Sequence, residues 1–154
     1  MPRFQFLQSA MAAVRPLVCI GLLGLAPLAA EGIYTKEQAD RGRVLYDGAC
    51  AECHGAGLEG ETSGPLAGPE FTANWARPDL TLDDFYYIVR KTMPKEKPGS
   101  LSRAEYADVV SYILQRNGFP AGEKELTPDP ALMRTVRFGA SAPPEFGHAL
   151  PRQR

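Results

Sequence analysis

The sequence predicts an all-α domain of three main helices joined by long loops, on three observations. Capping signals, a Ser or Thr followed three residues later by Gln, Asp or Glu, stand at Thr35–Gln38, Thr81–Asp84 and Ser102–Glu105. After the second and third signals, apolar residues recur at i, i+3, i+4 and i+7, the period of one helix face. No stretch sustains the apolar–polar alternation of a half-buried strand, and no internal repeat is visible.

Taken in order, Thr35 and Gln38 open a first helix over residues 37–47. Thr81 and Asp84 open a second, which places Leu82, Phe85, Tyr86 and Val89 on one face. Ser102 and Glu105 open a third, carrying Tyr106, Val109, Val110 and Ile113 at the same spacing, with Asn117-Gly118 as its stop. The connecting segments 55–68, 72–80 and 94–101 are rich in Gly and Pro. Three helices with this much loop make a thin core, so something other than side chains must occupy the middle.

The ends of the chain read differently. Residues 1–30 hold no Asp or Glu, carry Arg3 and Arg15, and finish on the uncharged run LVCIGLLGLAPLAA. This is the basic, apolar, small-residue order of a secretory signal, expected to be cleaved near Ala29 or Ala30. The run is shorter than the roughly 20 residues that span a bilayer and is interrupted by Pro27, which disfavours a retained anchor. No stable membrane span is therefore expected after cleavage. The mature chain would keep Cys50 and Cys53 and lose Cys19, and its charge would be 15 minus 18, or −3. Residues 119–154 contain six prolines and no apolar period. They are expected to form an extended tail that wraps the domain or, in the preferred reading, stays solvated.

With 17 Lys and Arg against 18 Asp and Glu, the chain is not a polybasic nucleic-acid or membrane-surface binder. Three cysteines are too few for a disulfide scaffold. Two of them instead sit in Cys-Ala-Glu-Cys-His, residues 50–54, the C-x-x-C-H signature of covalent haem attachment. Two thiols at this spacing can each add to one vinyl group on the same porphyrin edge, and His54 then lies beneath the iron as an axial ligand. A redox-active dithiol would want a βαβ context, and a structural zinc would want four donors where Cys50, Cys53 and His54 supply three. A disulfide across so small a loop would staple nothing.

The sixth iron position narrows by elimination. The soft or imidazole donors left in the mature chain are Met93, Met133 and His148, and the last two lie in the proline-rich tail. Met93 ends the second helix, and Pro94 pushes it out of helical geometry. It is the expected iron ligand; the competing role is plain core filler. No nucleophile elbow, phosphate loop or second haem motif accompanies the site, so no catalytic residue set is expected.

Residues 35–118 resemble the class I c-type cytochromes, the small monohaem cytochrome c family. Gly42 and Tyr46 match the glycine and aromatic of that family's N-terminal helix, and Val109 and Tyr112 match the pair on the C-terminal helix that packs against them. Thr92-Met93-Pro94 resembles the distal ligand motif. Gly64-Pro65-Leu66 resembles the proximal loop, and the resemblance implies that the Pro65 carbonyl accepts the other ring N–H of His54. Trp75 matches either an aromatic that contacts a haem propionate in parts of the family or a core tryptophan. Leu66 follows Pro65 directly, where a residue often intervenes, and the long tail has no counterpart in the shared motifs.

The resemblance implies a cytochrome c-like fold around one covalent haem c, with Cys50, Cys53, His54, Pro65 and Met93 at the cofactor and His54 and Met93 on the iron. It also implies a periplasmic or otherwise exported electron carrier with redox protein partners, a dehydrogenase as donor and an oxidase or another cytochrome as acceptor. The loop and helix pattern is similar to the cytochromes that accompany quinoprotein alcohol dehydrogenases. The alternative is a haem enzyme or a gas or redox sensor in which Met93 dissociates. Lys91, Lys95 and Lys97 around Met93 are expected either to steer an acidic partner or to form a solvated loop.

Overall fold

The computed structural model describes residues 32–138, and among them the chain is entirely helical and loop, without strands. The expected signal segment, Cys19 and His148 lie outside the described residues. The helices are α1 (Lys36–Ala49), α2 (Ala51–His54), α3 (Pro69–Trp75), α4 (Leu82–Thr92), α5 (Arg103–Arg116) and α6 (Pro130–Met133). The three longest are those the capping signals announce; the short α2, α3 and α6 punctuate the loops.

Capping explains the starts of α4 and α5 completely. At Thr81 and Ser102 the hydroxyl accepts the backbone N–H three residues on, and Asp84 and Glu105 accept the cap residue's own N–H in return. At α1 only half of this reciprocal pair forms: Thr35 accepts from the Gln38 N–H at 3.1 Å. The Gln38 side chain turns away, donating to the Leu126 carbonyl at 2.9 Å and accepting the Leu126 N–H at 2.7 Å. Gln38 is buried beneath the C-terminal segment, and an unpaired backbone there would cost more than an open half of a cap.

Helices α1 and α5 form the main crossing. At Gly42 an added Cβ would overlap the Asp108 carbonyl, so the absence of a side chain is what permits the approach. Arg41 grips both carboxylate oxygens of Asp108, at 3.0 and 3.1 Å, and reaches Glu125 at 2.8 Å. Tyr46 and Tyr112 close the other end with ring centroids 5.4 Å apart. Gly118, at φ 80°, ends α5 in the left-handed conformation that the Asn117-Gly118 stop requires.

The sequence assigns α5 one apolar face, but every residue from Tyr106 to Leu114 is buried, Asp108 and Ser111 included. The additional cover comes from the tail. Residues 119–138 wrap the domain instead of standing in solvent, with Phe119, Leu126, Met133 and Phe138 all buried. The segment leaves α5 where the Phe119 N–H donates to Leu114, passes Arg41 and Gln38, and reaches Pro128, whose carbonyl accepts from Arg103 at the opposite end of α5. It then crosses to the start of α4, where Val136 accepts the Leu82 N–H at 2.9 Å and Arg134 meets Asp83 at 3.0 Å. Prolines limit this segment to the four-residue α6, so it has no period to read. Its apolar residues fall singly into gaps between helices already formed.

Candidate functional site

The cysteine motif sits where two helices meet. Cys50 closes α1 with its N–H bonded to the Tyr46 carbonyl, and α2 follows at once, ending on His54. The buried Tyr46 hydroxyl donates to the Gly55 carbonyl at 2.7 Å, tying α1 to the turn beyond His54. The loop then folds back on the motif: the Gly60 N–H donates to His54 and the Ser63 N–H to Cys53. Leu58 fills the centre of this loop, and Asn117 at the end of α5 holds Leu66 through its carbonyl.

That return brings a carbonyl to the imidazole. His54 Nδ1 donates to the Gly64 carbonyl at 2.7 Å. The acceptor expected from the family resemblance was Pro65, one residue further on. The correction has a physical basis in the short loop, because Leu66 is drawn back by its N–H bond to Leu58 and turns the Gly64 carbonyl toward the ring. With Nδ1 engaged, Nε2 is the nitrogen left for a metal.

An open cleft lies beside the motif, enclosing about 740 Å³ when its mouth is counted. Cys50, Cys53, His54 and Met93 all line it, with Leu66, Trp75, Phe85, Ile88, Val89, Val109 and Ile113 supplying apolar surface. Met93 is the C-cap of α4, in extended geometry at φ −121° and ψ 154°. Its carbonyl accepts from the Tyr106 hydroxyl at 2.6 Å and from the Gly99 N–H at 3.3 Å, which fixes the loop after α4. Met133 is fully buried in the core away from the cleft, which removes it as a donor there.

Tyr46 and Tyr106 do not line the cleft; their hydroxyls hold the Gly55 and Met93 carbonyls beside it. The sequence reading missed Ile88 and Phe85 as lining residues, and it missed the aromatic cluster behind the cleft. Phe71 and Trp75 share α3, but no periodic signal links them to Phe85, Phe119 and Phe138, which arrive from separate segments. Lys95 reaches the cleft rim, but Asp47, Glu52 and Glu96 line the adjoining groove with Lys97, so the rim is mixed in charge rather than positive.

Both cysteines are free thiols and half-buried. Burial, with a smaller contribution from Cys53, pushes the Cys50 thiol up to about 11. Among the described residues no group of three or more His, Cys, Asp and Glu is arranged to hold a metal ion by itself. A zinc-module reading therefore has no support in the geometry, whereas paired thiols, one imidazole and one thioether around an apolar cleft suit a porphyrin iron.

A family model described as cytochrome c oxidase, cbb3-type, subunit III matches residues 37–113, half of the 154 in the chain. The chain belongs to the c-type cytochromes. Comparison with the curated proteins and with the solved structures gives no match. The cytochrome's Cys50 and Cys53 have the spacing of covalent haem c attachment, and the apolar cleft beside them fits that group. A cytochrome c domain is an electron-transfer module and implies redox partner proteins. Among the described residues of the cytochrome, no helix is long and apolar enough to cross a membrane.

Proposed function

We propose that this chain is an exported one-electron carrier with a single haem c on Cys50 and Cys53 and with His54 and Met93 as the axial ligands. The observation that carries the reading is the presence of His54 and Met93 on the walls of one apolar cleft, each anchored from behind. When bound, the haem supplies a one-electron couple.

The protein's own groups tune and protect that couple. The Gly64 carbonyl fixes the His54 tautomer and the orientation of its ring. A thioether from Met93 favours the ferrous state and raises the potential above that of harder ligand pairs. Trp75, Phe85, Val89, Val109 and Ile113 exclude water, which acts in the same direction. Held by both His54 and Met93, the group would offer a substrate no free position and would supply one-electron transfer alone.

Export is supported by the acid-free, apolar segment at residues 1–30. The family description, an oxidase subunit, supports an oxidase or another cytochrome as acceptor. The resemblance to cytochromes of quinoprotein alcohol dehydrogenases supports such a dehydrogenase as donor.

The test is spectroscopic. Purified mature protein should retain haem after denaturation, and its oxidised form should show a weak red-edge iron–sulfur band that Met93→Ala abolishes. A colourless protein ends the reading, and a high-spin spectrum in the wild type transfers it to an open-iron enzyme or sensor.

A further inference from the structure

Phe138 lies at the far end of the wrapping segment and stands behind the wall of the cleft. It is 3% exposed. Its ring meets Phe71, Phe85 and Phe119 edge-on at 5.6, 5.4 and 5.8 Å and lies 6.1 Å from Trp75. Trp75 and Phe85 are themselves edge-on at 4.7 Å, and both line the cleft that holds Met93, whereas Phe138 does not reach it. The ring therefore backs the two aromatic side chains that face the cofactor space.

Its own position is over-determined. Two residues earlier, the Val136 carbonyl accepts the N–H of Leu82, the first residue of α4. Arg137 donates to the Leu80 carbonyl, and Arg134 pairs with Asp83. Further back, Leu126 is held in both directions by Gln38. These bonds fix the segment to the helix that ends at Met93, and they aim Phe138 between α3 and α4.

From this we infer that Phe138 is a positioning residue for the haem pocket: the C-terminal segment is a strap whose last described ring holds Trp75 and Phe85 against the cofactor and keeps water out. The inference rests on the electron-carrier reading. Edge-to-face ring packing is directional, so an aliphatic replacement would fill space without aligning Trp75. With the rings free to tilt, water gains access and the oxidised state is favoured.

Trp75 is the sole tryptophan of the chain, which gives a readout independent of activity. Haem quenches nearby indole emission, so Trp75 fluorescence reports its placement against the cofactor. In full-length holoprotein, Phe138→Ala should leave covalent haem in place, raise Trp75 emission severalfold and lower the midpoint potential. Leu126→Ala truncates a buried side chain away from the ring cluster and keeps its backbone bonds to Gln38; it should lower the melting temperature while leaving emission and potential at wild-type values. If Phe138→Ala does not accumulate with haem, Phe138→Leu carries the same two readouts with the same expected directions. A haem-loaded wild type matched by its Phe138 variant in emission and potential overturns this inference alone, as does an equal change in Leu126→Ala. A wild type without covalent haem overturns the carrier reading and this inference together.

Discussion

The Tyr106 hydroxyl donates a hydrogen bond to the Met93 carbonyl, 2.6 Å away, from a ring only 2% exposed. The third long helix thereby grips the backbone of the proposed iron ligand, while Pro94 prevents α4 from continuing through it. Sequence spacing presents Tyr106 simply as one member of an apolar face. Its hydroxyl gains a function only because the loop after α4 folds back over α5.

Removing that hydroxyl tests the grip. Tyr106→Phe should fold and bind haem, since the ring remains in the core. A typical net hydrogen bond contributes about 0.5–1.5 kcal/mol, or roughly two- to tenfold in an equilibrium. Titrating the oxidised protein with imidazole, while following the red-edge band, should show Met93 displaced at a severalfold lower concentration. An unchanged titration would mean that the bond does not support ligation.

The α1–α5 crossing gives a stability prediction. Gly42→Ala places a methyl group against the Asp108 carbonyl. Overpacking of this kind costs about 1–3 kcal/mol. Denaturant unfolding of the holoprotein should show that loss, and Gly48→Ala, on the same helix with open space at its Cβ, should be neutral or slightly stabilising.

The strap depends on Gln38. Gln38→Ala leaves the N–H and carbonyl of the buried Leu126 without their partners. Each unsatisfied buried group costs about 1–3 kcal/mol, so a total of about 2–6 kcal/mol is expected. Hydrogen exchange should locate the loss around residues 119–138; wild-type protection there would refute the assignment.

Acid dependence follows from the two full capping pairs. Hydrogen bonds to the Thr81 side chain and backbone hold Asp84 below its ordinary value, and bonds to the Ser102 backbone and side chain do the same for Glu105. A carboxylate with a depressed folded pKa stabilises the fold fully above its unfolded value, near 4, and loses that contribution as pH falls through the folded value. Melting temperature measured from pH 5 to pH 2 should therefore decline, and Asp84→Asn or Glu105→Gln should flatten part of the decline. A slope identical to wild type in both variants would assign the acid sensitivity elsewhere.

Much of the site was readable along the chain because its geometry is short-range. Cys50 and Cys53 share one turn at the α1–α2 junction, His54 follows directly, and Pro94 sets the backbone of Met93. The carbonyl that orients His54 was read one residue too late, because the choice between Gly64 and Pro65 depends on Leu66 being drawn to Leu58. The choice between a steering patch and a solvated loop for Lys91, Lys95 and Lys97 likewise depends on what folding places beside them. Folding brings Asp47 and Glu52 from α1 and α2 beside Glu96 and Lys97.

What the sequence alone determined is the set of features whose partners lie within a helical turn: the capped starts of α4 and α5, the glycine stop of α5, and the cysteine pair with its adjoining imidazole. Capping bonds, helix periods and thiol spacing need no knowledge of the rest of the chain. Tertiary structure alone decided that the proline-rich segment closes the domain, that Gln38 gives up half of its cap for Leu126, 88 residues away, and that Phe138 stands behind Trp75. These pairings are selected by the shape of gaps between packed helices, and such gaps have no period for a linear pattern to express.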